Sequence, residues 1–198
     1  MTIKSDSFSS TEEIKRLEKK VEALERKLQN AIGKDKLTGL ASKLEMNKNL
    51  KRAFAVYKRE SKNLFGRVPN HFSIIFLDLD RFKPINDGNH LRGDRVLIEF
   101  ARFLKKVTRE VDTVARFGGD EFYVLAPETS KEKASALCEK IRTGLESYTF
   151  DSKYEPIKLS CSFGVASTSE GITLAEDLIK KADEMMQVLK DERKKNRL

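Results

Sequence analysis

Two pairs of acidic side chains lie where carboxylates can act together. Asp78 and Asp80 stand at the end of an apolar run, FSIIFLDL, over residues 72–79. Because alternate residues of a strand face the same side, both carboxylates would project from one face of this predicted strand. Asp120 and Glu121 follow two glycines at the bend of a predicted hairpin. If the hairpin pairs with the 72–79 strand, the two acidic pairs converge at one edge of the sheet.

Such a cluster of carboxylates predicts a metal site, because the charges repel one another unless a cation lies between them. Hard oxygen ligands suit Mg²⁺, with Mn²⁺ as the alternative ion. Metal–carboxylate centres support phosphoryl transfer by stabilising the attacking and leaving oxygens. Lys83 follows the strand closely and is placed to contact phosphate oxygens. The alternative is a solvated acidic turn, although the two glycines allow a ligand to approach the backbone closely.

A second polar group occupies the segment INDGNHLRGD, residues 85–94. The Asp94 carboxylate can accept hydrogen bonds from both N1–H and the amino group of guanine, which adenine does not offer, and Asn86 can bind the rest of that edge. Each residue also has an ordinary interpretation as a turn or cap residue. His90 contacts either a ligand or the loop itself.

Composition restricts the class of protein. The chain has 198 residues, of which 39% are hydrophobic and 35% charged, with a net charge of +8. These values predict one folded domain with an appendage. The longest apolar runs, about six residues, are too short for a transmembrane helix, and the polar N-terminus predicts no signal peptide. Cys138 and Cys161 are too few for a disulfide framework, which predicts a reducing, cytoplasmic location.

The positive charge is concentrated at the start of the chain. Residues 1–70 hold 17 Lys and Arg against 9 Asp and Glu, whereas residues 71–198 hold 22 of each. This distribution indicates either a solvated face or a polyanion partner, including nucleotide phosphates. A basic helix over residues 42–62 leaves open a coiled-coil interaction protein that binds nucleic acid. Nucleic acid is the less favoured partner, because no aromatic platform is interleaved with these charges.

The first 33 residues predict a flexible lead over residues 1–10 and a coiled-coil stalk helix over residues 11–33. Apolar residues recur at alternating spacings of three and four, at Ile14, Leu17, Val21, Leu24, Leu28 and Ala31. The β-branched residues at two a positions and leucine at two d positions favour a parallel two-stranded coil. The alternative is a lone amphipathic helix packed on the domain.

Residues 34–198 predict a single domain in which helices and strands alternate, a layered α/β or α+β fold. Helices are expected over 42–62, 93–110, 130–147 and 173–190, and strands over 72–79, 113–117, 122–126 and 157–166. In the first of these helices we expect the core-facing residues to be Leu44, Leu50, Phe54 and Tyr57.

Taken in order, the motifs resemble the GGDEF family of diguanylate cyclases. The central motif is RFGGDEF at residues 116–122, preceded by DKLTGL at 35–40 and FLDLDRFKPIND at 76–87. SFGVA at 162–166 and an Ala-Asp pair in the last helix follow, so the resemblance covers about residues 34–195. It implies a nucleotide-cyclase-like α+β domain whose central, mostly antiparallel sheet is flanked by helices.

The resemblance also implies a reaction. Two GTP molecules condense to cyclic di-GMP and pyrophosphate through Mg²⁺-dependent attack of a 3′-hydroxyl on an α-phosphate. Each subunit holds one GTP, so two subunits must face each other, and the coiled coil would hold this homodimer. An upstream regulatory domain or partner is implied as well. The alternative is a catalytically degenerate member that binds GTP or cyclic di-GMP as a receptor.

The matching positions imply roles for individual residues. The implied metal ligands are Asp78, the backbone carbonyl of Leu79, Asp120 and Glu121. The implied catalytic residues are Asp120 as proton acceptor, Glu121 and Lys83. The residues expected to bind GTP are Arg81, Phe82, Lys83, Asn86, His90, Asp94, Gly118, Gly119, Lys190 and Lys194. Arg109 and Asp112 form an RxxD run that matches the inhibitory product site, where Arg can bind guanine bidentately; the alternative is an ion pair at a helix end.

Two features depart from the family pattern. The loop before His90 is one residue short, and the last helix has Gln187 where the family usually has tyrosine. The usual terminal arginine is replaced by Lys194, or by Lys195 if one residue is inserted. Lys190 and Lys194 are four residues apart and share a helix face, so both could reach a triphosphate.

Overall fold

The computed structural model describes residues 6–62, 70–151 and 153–195, without the side chains of residues 6–12, 26, 29–32 and 194. The helices are α1 Asp6–Ile32, α2 Lys43–Lys62, α3 Phe82–Gly88, α4 His90–Val107, α5 Lys131–Ser147 and α6 Ala175–Lys195. The strands are β1 Ala41–Ser42, β2 Ser73–Leu79, β3 Thr113–Gly118, β4 Glu121–Ala126 and β5 Cys161–Ser167.

The five strands form one sheet in the order β1-β3-β4-β2-β5. Only the pairing of β1 with β3 is parallel, so the predicted mostly antiparallel sheet is confirmed. β2 pairs on both sides and is buried along its whole length. Its apolar sequence follows from this position, because helices cover both faces of the sheet.

The two faces of the sheet support separate cores. Leu77 and Phe122 belong to the cluster shared with α4 and α5, whereas Phe76 and Tyr123 belong to the cluster shared with α2 and α6. Asp78 continues the Phe76 face, because alternate residues of a strand share a side. The acidic end of β2 therefore opens toward α6.

Helix α6 packs very closely on β5. A Cβ atom on Gly164 would lie 1.9 Å from the Ala182 carbonyl oxygen and 2.4 Å from the Met186 nitrogen, both backbone atoms. Any larger residue would push the helix away from the sheet. The glycine of the SFGVA motif thus sets the height at which the C-terminal end of α6 passes over the edge of β2.

Several elements differ from the sequence-based expectations. Helix α3 replaces a predicted loop, because Phe82 and Ile85 are both buried and anchor the segment as a short helix. The strand expected from residue 157 begins at Cys161, and Ile157 instead forms an isolated bridge with Phe150. Leu44 was expected in the core but is 38% exposed, and Met46 is buried in its place.

The N-terminal helix begins at Asp6, within the segment expected to be a flexible lead. The seam residues with described side chains, Ile14, Leu17, Val21, Leu24 and Leu28, are 51–64% exposed in the single chain. Ala31, the last seam position, has a side chain outside the described residues. The coiled coil stays a prediction. Among the described residues, no helix is both long and apolar enough to cross a membrane.

The helix is joined to the sheet by the tight turn of the DKLTGL motif. The Asp35 carboxylate accepts hydrogen bonds from the Thr38 nitrogen at 2.9 Å and from its hydroxyl at 2.6 Å. The same carboxylate pairs with Arg116 of β3 at 3.4 Å. The turn is thereby attached to the strand that leads into the glycine bend.

Candidate active site

Strand pairing brings the predicted acidic residues together. In the antiparallel register of β2 and β4, Asp78 lies opposite Glu121. The Leu79 nitrogen donates a hydrogen bond to the Asp120 carbonyl at 3.2 Å, which fixes the glycine bend against the end of β2. The left-handed backbone of Gly119, with φ +47°, allows this bend. Asp78, Asp120 and Glu121 therefore meet at one edge of the sheet, as the sequence predicts.

The carboxylates at this edge are buried enough to repel one another. Asp78 is 6% exposed. Burial raises the pKa of Asp78, and the charges of Asp120 and Asp80 raise it further, against the lowering effect of a hydrogen bond from Lys190. Burial also raises the pKa of Glu121, together with the charges of Asp78, Asp120 and Asp183. Ionising these acids at neutral pH costs folding free energy in this environment.

Lys190 of α6 lies directly at the site. Its Nζ donates to Oδ1 of Asp78 at 2.6 Å, across 112 positions of sequence. This is the lysine that the resemblance assigns to phosphate. The side chain of Lys194, assigned the same task, lies outside the described residues.

Asp80 does not share the open site, although it follows Asp78 by two residues. Its Oδ1 accepts from the Ser162 hydroxyl at 2.7 Å, and its Oδ2 accepts from the Ser160 hydroxyl at 2.7 Å and from Arg193 at 2.8 Å. Arg193 also donates to the Cys161 carbonyl at 2.8 Å. Both Asp80 oxygens are thus bound by residues 160–162 and the end of α6. Asp80 lies near enough for its charge to act on Asp78, but its own oxygens are already hydrogen-bonded.

Two basic residues near the site were not singled out from the sequence. Arg193 stands three positions after Lys190, a helical spacing that puts both on one face and was a usable signal. Lys43 at the start of α2 lies 3.9 Å from the centre of the Phe117 ring, and its charge lowers the pKa of Glu121 against the stronger raising effects. No spacing in the sequence points to Lys43.

The donor set suits a divalent cation that arrives with its substrate. Across the described residues, no group of three or more His, Cys, Asp or Glu side chains is arranged to hold a metal ion by itself. Mg²⁺ commonly binds through one or two carboxylates plus substrate phosphates and water, which Asp78, Asp120 and the Leu79 carbonyl match. The mutual repulsion of these acids is also what a hard cation relieves. The residues present therefore fit Mg²⁺ or a similar ion.

The turn after β2 presents the residues expected at the phosphates. Arg81 has a left-handed backbone, φ 59°, which turns the chain from β2 into α3. Arg81 and Lys83 are exposed, whereas Phe82 is buried and anchors the turn. The backbone of this turn is thus held rigidly while its two basic side chains face solvent.

The residues expected to read guanine lie at the junction of α3 and α4. The Asn86 Oδ1 is 3.4 Å from the His90 ring, and a Cβ on Gly93 would lie 2.4 Å from the same oxygen. Gly93 therefore allows Asn86 to pack against the start of α4, one residue before the half-buried Asp94. The short loop does not separate them, because Asn89 alone joins the two helices and caps α4.

Arg109 and Asp112 bind each other at the turn after α4. Asp112 is 3% exposed and accepts from the Arg109 backbone nitrogen at 2.8 Å and from its Nη2 at 2.7 Å. The same Nη2 reaches the Pro127 carbonyl at 2.9 Å and the Thr129 hydroxyl at 2.8 Å. The pair is therefore an internal ion pair in this structure, with about half of the arginine side chain exposed.

The raised pKa of Glu121 predicts a stability effect. A carboxyl group whose pKa is raised by folding lowers the free energy of unfolding at pH values above that pKa. This destabilisation disappears as the pH falls below the ordinary glutamate pKa. Glu121→Gln should therefore raise the melting temperature of the nucleotide-free protein by a few degrees at neutral pH. Thermal unfolding followed by circular dichroism from neutral pH down to pH 4 measures this gain, which should shrink on acidification. The exposed Glu192→Gln is the control, and an equal gain in both variants would contradict the argument.

Comparison with known proteins agrees with this geometry. Residues 32–196 match the family model described as diguanylate cyclase, GGDEF domain. The chain is 37% identical over 153 residues to the diguanylate cyclase DgcP of Pseudomonas aeruginosa, covering 77% of this chain and 22% of that protein. It is 35% identical over 153 residues to DgcS of Shewanella oneidensis, covering 77% and 47%. The chain thus spans less than half the length of these curated relatives.

Solved structures agree as well. The GGDEF domain of YfiN from Pseudomonas aeruginosa matches with a TM-score of 0.71 and 30% identity, over 80% of this chain and 89% of that one. The coiled coil and GGDEF domain of DgcB from Caulobacter crescentus, solved with c-di-GMP, matches with a TM-score of 0.70 and 25% identity, over 96% and 95%. With its fold, its acidic edge and its motifs in order, the chain belongs to the GGDEF diguanylate cyclase family.

Proposed function

We propose that this chain is a diguanylate cyclase, which condenses two GTP molecules into cyclic di-GMP with release of two pyrophosphates. The observation that carries the proposal is the pairing of β2 with β4, which brings Asp78 opposite Glu121 and holds Asp120 beside Leu79. Family membership supports the same reaction, since relatives at 35–37% identity are named diguanylate cyclases.

Each residue of the site has a task in this reaction. Asp78, Asp120 and the Leu79 carbonyl would bind the metal with Glu121 assisting, and Mg²⁺ is the proposed ion with Mn²⁺ the alternative. When bound, the ion stabilises charge on the phosphates and favours ionisation of the attacking hydroxyl. Asp120 accepts the proton of the 3′-hydroxyl, assisted by Glu121. Lys83 holds the phosphates and opposes the charge that develops during transfer.

Substrate selection falls to the junction of α3 and α4. Asp94 accepts from N1–H and the amino group of guanine, and Asn86 binds the adjoining edge. The packing of the Asn86 amide against Gly93 supports this assignment, because Gly93 directly precedes Asp94 in the chain. His90 belongs to the same junction through its contact with Asn86.

The N-terminal helix is proposed as a dimerising stalk. Residues 11–33 form the stalk and residues 34–198 the catalytic domain, with a regulatory domain or partner acting through the stalk. Seam side chains more than half exposed in the single chain support pairing with a second copy, because such a stripe is otherwise left in water. The relative from Caulobacter crescentus was solved as a coiled coil with its GGDEF domain.

Arg109 and Asp112 are proposed as the inhibitory product site. The exposed half of the guanidinium is available to the guanine of cyclic di-GMP, while Asp112 fixes its orientation. Binding would exchange some of the internal hydrogen bonds of Arg109 for bonds to the ligand.

The decisive test of the reaction is Asp120→Asn. We expect it to fold normally, because Asp120 lies half-buried at a bend, and to lower product formation by roughly 10²–10⁴-fold through loss of a ligand and base. Purified protein is incubated with GTP and Mg²⁺, and cyclic di-GMP is quantified by chromatography. The exposed Asp177→Asn on α6 is the control. Nucleotide binding by the wild type without any product would instead identify a receptor.

The product site is tested with Arg109→Lys, which keeps a cation beside the buried Asp112 but loses the planar fork. The initial rate should be nearly unchanged, and inhibition by added cyclic di-GMP should weaken at least severalfold. Progress curves with and without added product measure both quantities, with Arg102→Lys on α4 as the matched control. Equal slowing of the wild type and Arg109→Lys would exclude this site.

The stalk is tested by Leu17→Asp combined with Leu24→Asp, which puts charge into the seam. The variant should remain folded but become monomeric, and its specific activity should fall steeply and recover partly at high concentration. Sedimentation and turnover are measured on the same dilution series. The control variant, Arg16→Asp with Ala23→Asp, also introduces two aspartates into the helix but places them outside the seam. Full activity of a demonstrated monomer would refute a stalk-driven dimer.

A further inference from the structure

We propose that Lys190 is the resident counter-ion of Asp78 in the nucleotide-free protein, and that a divalent cation must displace it from this carboxylate. The proposal rests on the proposed function, because it takes Asp78 as a metal ligand. It adds an exchange of one cation for another, which couples the arrival of the metal to that of the nucleotide.

The contact itself is short and sheltered. The Lys190 ammonium lies 2.6 Å from Oδ1 of Asp78. The side chain of Asp78 is 8% exposed and that of Lys190 is 28% exposed, so water screens this pair much less than a surface ion pair. An ammonium hydrogen-bonded to this oxygen competes with a metal ion for the same carboxylate.

Lys190 is held at this position by the anchoring of its helix. One turn further along α6, Arg193 binds Asp80 and the Cys161 carbonyl, both at 2.8 Å. Asp80 is itself fixed by hydroxyls of Ser160 and Ser162 on the β5 side. These contacts oppose withdrawal of the ammonium by fraying of the helix end, and Lys190 and Arg193 pair with Asp78 and Asp80 in turn.

The Lys190–Asp78 pair can be broken more easily than the Arg193–Asp80 pair. Besides their mutual contact, Arg193 donates to the Cys161 carbonyl, and Asp80 accepts from two serine hydroxyls. Among the described residues, Lys190 and Asp78 are joined by a single hydrogen bond at the open edge. A metal ion at Asp78 and an ammonium on the same carboxylate would repel each other. A triphosphate at this edge offers the displaced ammonium new oxygen partners. Displacement of Lys190 from Asp78 should therefore cost less free energy when metal and nucleotide bind together than when the metal binds alone.

This coupling predicts that one substitution, Lys190→Met, strengthens metal binding and weakens nucleotide binding. Lys190→Met removes the competing cation, so Mn²⁺ should bind the nucleotide-free protein about five- to tenfold more tightly, at the low end of usual coupling between sites. The same variant should bind a non-hydrolysable GTP analogue more weakly in the presence of Mg²⁺, because the ammonium no longer meets the phosphates.

The experiment measures free Mn²⁺ by electron paramagnetic resonance during titration of wild type, Lys190→Met and the exposed Lys181→Met on the same helix. Lys190→Arg, which keeps the charge, should bind Mn²⁺ like the wild type, and thermal unfolding confirms that each variant is folded. Tighter Mn²⁺ binding in Lys190→Met alone supports the exchange.

Asp78→Asn separates failure of the exchange from failure of the site. If Asp78→Asn weakens Mn²⁺ binding and Lys190→Met behaves like Lys181→Met, the exchange is overturned and the metal site stands. If Asp78→Asn binds Mn²⁺ as the wild type does, Asp78 is not a metal ligand, and both this inference and that part of the proposed function are overturned.

Discussion

The antiparallel register between β2 and β4 determines the geometry of the whole site. Six residue pairs run from Ser73 opposite Ala126 to Asp78 opposite Glu121. A slip of one residue would turn every side chain of the shifted strand to the other face, so that the residues of the two cores would change places and the acids would no longer face each other. The hydrophobic packing of both faces therefore fixes the register, and the register brings the acids together. Core packing and chemistry are specified by the same alternation of residues.

The charges at this edge balance only in part, as is common at functional sites. Burial and mutual repulsion raise the pKa of Asp78 and Glu121, so their ionised forms cost stability. Lys190 offsets part of that cost at Asp78, and Arg193 with two hydroxyls satisfies Asp80. Asp78 at the end of β2 and Asp80 just after it thus have different tasks. One is enclosed as a support for α6, and the other keeps an exchangeable partner.

Sequence reasoning succeeded where the signal is local or where motifs occur in order. The apolar run of β2, the glycine bend and the spacing of the acids sufficed to predict a central strand beside a hairpin. Sequence reasoning failed where contacts join distant segments. The hydrogen bond between Lys190 and Asp78 spans 112 positions. The enclosure of Asp80 depends on two serines near the start of β5 and on Arg193. Helix α3 was missed because its helical state depends on burial of Phe82 and Ile85, which no short window reveals. The outward position of Leu44 depends likewise on how α2 is rotated against the sheet.

The connection between the N-terminal helix and the glycine bend passes through very few atoms. Asp35, held by Thr38 in the turn after α1, pairs with Arg116 at 3.4 Å, and Arg116 donates to the Gly119 carbonyl at 2.9 Å. Gly119 directly precedes Asp120, whose carbonyl binds the end of β2. Pairing of β1 with β3 at Ala115 and Arg116 holds the same turn by its backbone. The Asp35 contacts with Thr38 and Arg116 are partly buried, whereas the contact of Arg116 with Gly119 is exposed. A shift of the turn relative to the sheet would reach the bend through Arg116, so the place where α1 joins the domain is physically connected to the acidic edge.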